Sequence, residues 1–536
     1  MSTTHDDGSG ESFMREALNR GITRRDLLKG AAVLGSGVAL APLLSACGTS
    51  GGTGASSSPS TAASPTKGGN LRIGVIGGST NDVVDFQVAM TQPDNLRGRQ
   101  IFEGLMKYDH NYQLAPALAE EVTPDATGTV WTVKLRPDVT FHNGKPLTAE
   151  DVVWTFQEIF NPKFVNNAKG LFPTVDPKRI KALDKLTVQF TMTKPNGDFK
   201  NELAMENSTI KPVGYDKKHP VGTGPFKYGK FLPGNYSLFP ANENYWGTGP
   251  YVDSVQTVDF ADSTAMVNAL LGGSIDAASD VPAALVAQIK QAGLKSVVSE
   301  TGLFNYIFWN TAVKPLDDVR VRQALRLIMD RQQMVEEALS GYGRVGNDMW
   351  AFYDPAYPHN TPQRTQDIEQ AKSLLKQAGH ADLSLKLYTS PVSASAVPAC
   401  TVFAQQAKQA GVTITTQQVD VSVYWGNKYL TWPNGPGWYS AKMYLVQSLL
   451  CEVWNEPHWH DKNWFSLISD AMATADDAKR TQIIQEAYAI DYGIGAWDIW
   501  SYANEVDACS QKVQGLVPTR SGIPYNNGYV NELWLA

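Results

Sequence analysis

Cysteine is scarce, with four in 536 residues, too few to build a disulfide framework. Positive charge is not in excess either. The 46 basic and 53 acidic residues leave a net charge of −7, with no basic stripe of the kind that grips nucleic acid. After Cys47 no run reaches the roughly 18 uncharged apolar residues that a membrane-spanning helix needs. Enzyme signatures are equally thin: H-E-x-x-H and the P-loop are missing. Gly48-x-Ser50-x-Gly52 has the spacing of a nucleophile elbow but lies in a low-complexity stretch with no strand or helix around it. Ser208-x-x-Lys211 and Ser373-x-x-Lys376 both satisfy S-x-x-K, and two hits show how little that pattern specifies. Gly74-x-x-Gly77-Gly78 lacks the G-x-G-x-x-G spacing of a dinucleotide loop. No catalytic residue, metal ligand or cofactor can be named from these patterns.

What is present begins with an export signal. Arg15, Arg20, Arg24, Arg25 and Lys29 precede a short uncharged stretch, Ala31 to Ala46, that is broken by Gly35, Gly37 and Pro42. A basic region before a short apolar one is the layout of a signal peptide. Thr23-Arg24-Arg25-Asp26-Leu27-Leu28-Lys29 resembles the twin-arginine motif, with Arg24 and Arg25 as its pair. Leu44-Ser45-Ala46-Cys47 resembles a lipobox, which implies cleavage before Cys47 and a lipid on its thiol. Each buried methylene of such chains adds about 0.8 kcal/mol, so two or more chains anchor stably. From Gly48 to Thr66 every residue is Gly, Ser, Thr, Ala or Pro, which reads as a flexible tether because nothing there can offset the entropy of ordering.

The folded body starts near Gly68. Leu71 to Val75 reads as a strand, and Trp131, Val133 and Leu135 alternate on one face of another. Val139-Thr140-Phe141 is expected as a short strand before an Asn143-Gly144 turn, and Thr148 to Asp151 forms a capping box that opens a helix to Phe160. Val188, Phe190 and Met192 alternate again. The later part is more helical. Asp317 and Asp318 precede one long helix expected to run to Ser340-Gly341, and Asp367 caps another with Ala371, Leu374, Leu375 and Ala378 on its stripe. Leu383 to Leu387, a helix through Phe403, and Val412 to Thr415 make a βαβ unit with a parallel strand pair. Helices are expected around Trp464 to Ala473 and Asp477 to Asp491. A β-led part and a helical part point to a cleft between them, where ligand sites concentrate.

Several ordered blocks then carry a resemblance. These are Leu114-Ala115-Pro116-Ala117-Leu118-Ala119-Glu120, Phe141-His142-Asn143-Gly144-Lys145-Pro146-Leu147-Thr148-Ala149-Glu150-Asp151, Gly222-Thr223-Gly224-Pro225-Phe226, Asn244-Tyr245-Trp246, Ile275-Asp276 and Pro315-Leu316-Asp317-Asp318-Val319-Arg320-Val321-Arg322. Over roughly residues 69–536 the chain resembles the family 5 extracellular solute-binding proteins of ABC transporters, the oligopeptide-, dipeptide- and nickel-binding group. The resemblance implies an α/β, two-lobed, periplasmic-binding-protein-like fold of type II with a subdomain inserted in the first lobe. Residues 1–46 would be the signal peptide and 47–67 the tether. Residues 68–108, 219–305 and 509–536 would form the first lobe, 109–218 the inserted subdomain, and 306–508 the second lobe. It also implies no enzyme activity and no cofactor. The expected partners are a peptide or other small solute, the permease and ATPase subunits of an importer, and the membrane through the lipid anchor. The expected state is a monomer on the outer face of the cell membrane.

Site residues follow from the same likeness. Eight of fourteen tryptophans fall between residues 425 and 500. Trp464, Trp497 and Trp500 fit core positions, whereas Gly437-Trp438-Tyr439 matches the glycine–tryptophan segment that lines the cleft in peptide binders. The expected ligand contacts are Asn81, Asp85, Asn305, Tyr306, Trp438, Tyr439, Ser440 and Trp459. His142 reads as a turn residue, Arg320 and Arg322 as helix-start packing, and His458-Trp459-His460-Asp461 as a polar loop with poor metal spacing. Peptide-binding relatives carry an aspartate three residues after that tryptophan to pair with the peptide ammonium, and here the position is Ala441. A buried ammonium without a counter-charge is costly. Either another acid, with Asp85 and Glu452 as candidates, faces a peptide amino terminus, or the ligand is an oligosaccharide or other non-peptide solute. A surface sensor that reuses the fold without transport is the remaining alternative. Cys400, Cys451 and Cys509 could include one disulfide.

Overall fold

The computed structural model describes residues 64–536 apart from Met90, Val165, Asn167, 426–428 and 440–454. The export signal with Arg24, Arg25 and Cys47 lies outside the described residues, as do Ser440, Ala441, Cys451 and Glu452. Cys400 and Cys509 are both buried free thiols.

Asn70–Ile76 is the strand that the alternation predicts, with Leu71, Ile73 and Val75 fully buried. It pairs in parallel with Ser254–Phe260 on one side and Ala277–Ala278 on the other. These belong to a nine-stranded sheet among the described residues, whose other half is dominated by two long antiparallel strands, Lys295–Trp309 and Trp497–Cys509. The ladder between those two shifts register between Glu300 and Phe304, where Thr301 Oγ1 donates to the Ala503 carbonyl at 2.7 Å. Before the shift, Val506 and Ala508 pack with Met266 and Ile289. After it, Phe304, Tyr306 and Phe308 pack with Trp350, Trp464 and Trp497 in a separate core. The two strands therefore connect two bodies, each with its own interior.

Residues 105–210 carry a third core around Trp131, Phe156, Phe190 and Phe199. The helix Ala149–Phe160 starts where expected, because the Thr148 amide and Oγ1 both donate to Asp151 Oδ2, at 3.0 and 2.8 Å. Val139 to Phe141 departs from expectation. It makes a single bridge, Thr140 to Pro146, because the chain reverses at once through Gly144 at φ 81°. The Gly222-Thr223-Gly224 block runs against the end of the helix Gln92–Ile101. A Cβ at Gly222 would stand 2.0 Å from the Ile101 carbonyl, and one at Gly224 2.6 Å from that of Gln100. Close backbone approach explains both glycines. His142 belongs to the same turn, with Nε2 3.0 Å from the Gly224 carbonyl, and burial pushes its ring down to about 4.

The helix expected from Asp318 to Ser340 is two helices, Val319–Ile328 and Arg331–Ala338. The break falls at Met329, which is extended, and Asp330 starts the second helix by accepting from the Gln333 amide. A capping aspartate in mid-pattern stops a helix as readily as it starts one. The βαβ unit stands as read, with Ser384–Thr389 parallel to Thr413–Gln418 and the helix Ala396–Ala407 between them. Arg320 pairs with Asp318, and Arg322 donates to the carbonyls of Leu316, Asp317 and Ile494, so both are packing residues.

The first body also buries a carboxyl pair, Glu505 and Asp507, two residues apart on one face of a long strand. Neither Glu505 oxygen has a hydrogen-bond partner among the described residues, and Asp507 Oδ2 accepts only the Tyr525 amide at 2.9 Å. Burial pushes both carboxyls up, with neighbouring acids adding at Glu505; Asp507 rises to about 8 although the Tyr525 amide pulls it down. Folded values above the unfolded carboxylate range of about 4 mean that the native chain keeps protons the unfolded chain has released. Stability is therefore expected to fall as pH rises from about 5 to about 8, read as a falling Tm. Asp507→Asn is expected to flatten that slope. A Tm that climbs over the same interval would contradict the assignment.

Candidate functional site

A cavity of about 340 Å³ opens between residues of the 105–210 body and the helices Lys462–Met472 and Asp477–Ile494. One wall is the hairpin in which Met106–Tyr108 pairs with Leu114–Pro116. Its tip turns through Tyr112 at φ 63°, and the Tyr108 and Tyr112 rings stack with centroids 4.4 Å apart. Tyr108 donates its hydroxyl to Asn201 Oδ1 at 2.9 Å.

The floor is the short helix Phe199–Glu202, preceded by Asp198. Phe199 and Leu203 dive into the core, which sets Asp198 and Glu202 at the cavity edge in apolar surroundings. Asp198 Oδ1 accepts from Asn201 Nδ2 at 2.5 Å, and Glu202 Oε1 accepts from Asn196 Nδ2 at 3.0 Å. Burial pushes Asp198 up to about 7. Burial, with the nearby Asp198 charge adding to it, pushes Glu202 well above the usual carboxyl range. Across the cavity, Asp354 accepts from the Ala356 amide at 2.8 Å, and burial raises it too.

The far wall is closed by direct backbone contact between the two sides. The Gly197 amide donates to the Met472 carbonyl at 2.7 Å, and the Arg480 guanidinium donates to the Gly197 carbonyl and, at 2.7 Å, to Asp477 Oδ1. Such a shared, partly apolar recess with a few converging polar groups fits an organic solute, since pockets of this kind run from about 300 to 1,000 Å³.

None of the described residues expected at the ligand lines this cavity; Ser440 lies outside the described residues. Asn81 is exposed on a turn, where its amide donates to Ser79 Oγ. Asp85 is half-buried and receives Lys211 Nζ on both oxygens, at 2.6 and 2.8 Å, so its charge is already matched. Asn305 is buried between Ser501 and Ser395. Tyr306 is buried and donates to Glu456 Oε1 at 2.9 Å, its ring stacked on Tyr439 at 5.7 Å. Trp459, 4% exposed, packs edge-on against Trp464 in the core. Trp438 does stay open, 41% exposed on the strand Asn434–Tyr439, with its Nε1 donating to the Val392 carbonyl. Trp464, Trp497 and Trp500 are core residues as expected. His458 and His460 bond to Leu430 and Asn455, and no group of three His, Cys, Asp or Glu side chains suited to a metal occurs among the described residues.

The physical reason is the face each strand residue takes. Tyr306 stands opposite Gly437, whose missing Cβ leaves room for the phenol; a Cβ there would be 2.2 Å from the hydroxyl oxygen. The phenol therefore turns inward to Glu456, which also accepts from Tyr429 at 2.7 Å and from Tyr439 at 3.2 Å. Burial raises Glu456 despite these donors. Glu456 and the cavity acids Asp198, Glu202 and Asp354 were not singled out in the sequence. Their only local sign is an acid flanked by core residues, as in Phe199-Lys200-Asn201-Glu202-Leu203.

Comparisons with known proteins agree with this architecture. The bacterial extracellular solute-binding proteins, family 5, match residues 113–455. The oligopeptide-binding protein AppA of Bacillus subtilis is 28% identical over 442 residues, covering 76% of this chain and 79% of that protein. The glutathione-binding protein GsiB of Pectobacterium atrosepticum is 26% identical over 469 residues, covering 82% and 90%. Among solved structures, the ABC transporter substrate-binding protein CtaP of Listeria monocytogenes superposes with a TM-score of 0.79 at 25% identity, covering 88% of this chain and all of that one. The fold is the two-lobed α/β binding-protein architecture of type II.

Proposed function

Because the chain belongs to family 5 of the bacterial extracellular solute-binding proteins, we propose that it is the capture subunit of an ABC importer, holding a peptide or peptide-sized solute between its lobes and passing it to the permease. The observation that carries this reading is the 340 Å³ cavity walled on one side by the 105–210 body and on the other by the helices Lys462–Met472 and Asp477–Ile494. A solute there touches both sides, so its contacts pull the lobes together, and affinity reflects those contacts plus the closing equilibrium. The register shift at Glu300 to Phe304 is the place for the hinge. Relatives named for oligopeptide and glutathione binding favour a peptide-like solute. In this reading the protein is a monomer and no enzyme.

The division into 68–108, 219–305 and 509–536 for the first lobe, 109–218 for the subdomain and 306–508 for the second lobe belongs to the same proposal. So do twin-arginine export through Arg24 and Arg25 and a lipid on Cys47. Cys47→Ser is expected to move the protein from the membrane fraction to the soluble one, since the acyl anchor goes with the thiol. A membrane-bound Cys47 variant would sink the anchor.

The solute itself is tested by native mass spectrometry of protein purified from its own host, followed by calorimetry with a di- to pentapeptide library. A co-purified peptide-sized solute, or micromolar heats from the library, is expected. Heats from neutral oligosaccharides alone would overturn the peptide reading.

A further inference from the structure

Resting on the reading of a chain anchored at the membrane, we propose that the 105–210 body and the loop after it carry a second membrane contact, a lysine-rich face with two apolar tips that settles on anionic phospholipid headgroups. Two turns meet at the start of the helix Ala149–Phe160. The Lys185 carbonyl accepts from the Ala149 amide at 2.9 Å, and the Val213 amide donates to Asp151 Oδ1, also at 2.9 Å. Leu183 and Val213, on those turns, are 53% and 48% exposed, the two most exposed large apolar side chains among the described residues. Leu183 follows the edge strand Lys181–Ala182, and its amide donates to the Thr187 carbonyl at 2.8 Å, which places it at a hairpin tip.

Basic side chains surround both tips. Lys178, Arg179, Lys181, Lys185, Lys217 and Lys218 are exposed, and none is in an ion pair among the described residues. Lys145 is matched by Asp151. Three of the acids are turned onto their own backbone. Asp176, Asp184 and Asp216 each accept from the amide two residues on, at 3.0, 2.8 and 2.9 Å, and Asp216 also pairs with His219. Glu150 is exposed at the helix start. Segments 145–151, 176–185 and 213–219 thus hold seven basic side chains against five acids, in a chain whose net charge is −7.

The make-up of the face favours lipid over protein. Lysine outnumbers arginine six to one in these segments, whereas protein interfaces are enriched in arginine and aromatic rings and poor in lysine. Lysines near an anionic leaflet each add attraction, and small apolar tips between them reach past the headgroups. Lysine on an edge strand also discourages strand pairing, but that role does not call for an exposed leucine beside it. A chain already held by lipid meets the surface at high effective concentration, so a weak face suffices to orient the body.

The test is co-sedimentation of the mature chain made without its lipid, residues 48–536, with vesicles of phosphatidylglycerol and phosphatidylcholine in equal parts. At low ionic strength it is expected to bind these at least about tenfold more tightly than vesicles of phosphatidylcholine alone. The preference should vanish at about 1 M salt, where charges are screened within about 3 Å. Lys181→Gln, Lys185→Gln and Lys218→Gln together should lower the affinity at least about tenfold. Lys290→Gln, Lys376→Gln and Lys408→Gln together remove the same charge from exposed sites elsewhere and should leave it unchanged. Leu183→Ser with Val213→Ser should lower it at constant charge. All three variants are expected to keep the parent Tm and the parent heats with the peptide library. Equal binding to both kinds of vesicle, or equal losses from the two lysine triples, would overturn the membrane face. Either result would leave the lipid anchor standing, since that rests on the fractionation of Cys47→Ser.

Discussion

Arg326→Met is expected to destabilise the protein by about 3–5 kcal/mol, the range for removing one partner of a buried ion pair. Arg326 is buried on the helix Val319–Ile328. Its Nε donates to Asp498 Oδ1 at 2.8 Å, and its terminal nitrogens donate to the carbonyls of Asp491, Tyr492 and Trp497 at 2.9, 3.0 and 2.9 Å. Methionine fills similar volume and donates nothing; the Asp491 and Tyr492 carbonyls keep the Gly495 amide and Arg364, but the Trp497 carbonyl loses its Arg326 donor away from water. The Asp498 carboxylate, which keeps only the indole of Trp309 at 2.5 Å, loses its counter-charge. Urea unfolding followed by tryptophan fluorescence measures the change. Adding Asp498→Asn to Arg326→Met should recover part of the loss, because the Asp498 charge is then no longer buried without its partner. A double variant whose loss equals the sum of the two single losses would show that the groups do not couple.

Gly197→Val is expected to weaken solute binding by about tenfold or more and to leave the lobes further apart in solution. The glycine loop of the 105–210 body lies directly on the turn after Lys462–Met472. A Cβ at residue 197 would stand 1.8 Å from the Thr474 carbonyl oxygen and 2.6 Å from its carbon, a distance no side chain can occupy. The loop must lift, which removes the 2.7 Å bond from the Gly197 amide to Met472 and the Arg480 bond to the Gly197 carbonyl. Each bond is worth about 1 kcal/mol, and a closed state made rarer raises the apparent Kd in proportion. Small-angle scattering and calorimetry read the two effects. Gly170→Ala is the control, since a Cβ there meets nothing within 4 Å. If Gly197→Val binds as tightly as the parent chain, the contact has no part in closing.

What could be read along the chain was local. The Thr148–Asp151 box, the strands around Leu71 and Trp131, and the parallel pair on either side of Ala396–Ala407 depend on residues a few positions apart. Even there, one competing local signal went unread. The apolar stripe from Val321 toward Ala338 looks continuous, yet Asp330 caps a new helix and the chain turns at Met329. The helix-start role of Arg320 and the core roles of Trp464 and Trp500 were also legible, because their spacing leaves each side chain one face to take.

The sequence by itself determined the fold class, the order of the elements and the family, since ordered motif blocks and hydrophobic periods survive without knowledge of what packs on what. Only the tertiary structure decided which side chains border the cavity. Asp85 is matched by Lys211, which folds back onto it from far along the chain. Tyr306 turns inward because Gly437 on the neighbouring strand leaves it room. Asp198, Glu202, Asp354 and Arg480 meet although up to 282 positions separate them. A period of two or 3.6 residues tells a side chain which face of its own element to take. It carries nothing about which other element will stand opposite, and that pairing is what makes a carboxylate a buried neighbour of a solute or a matched surface charge.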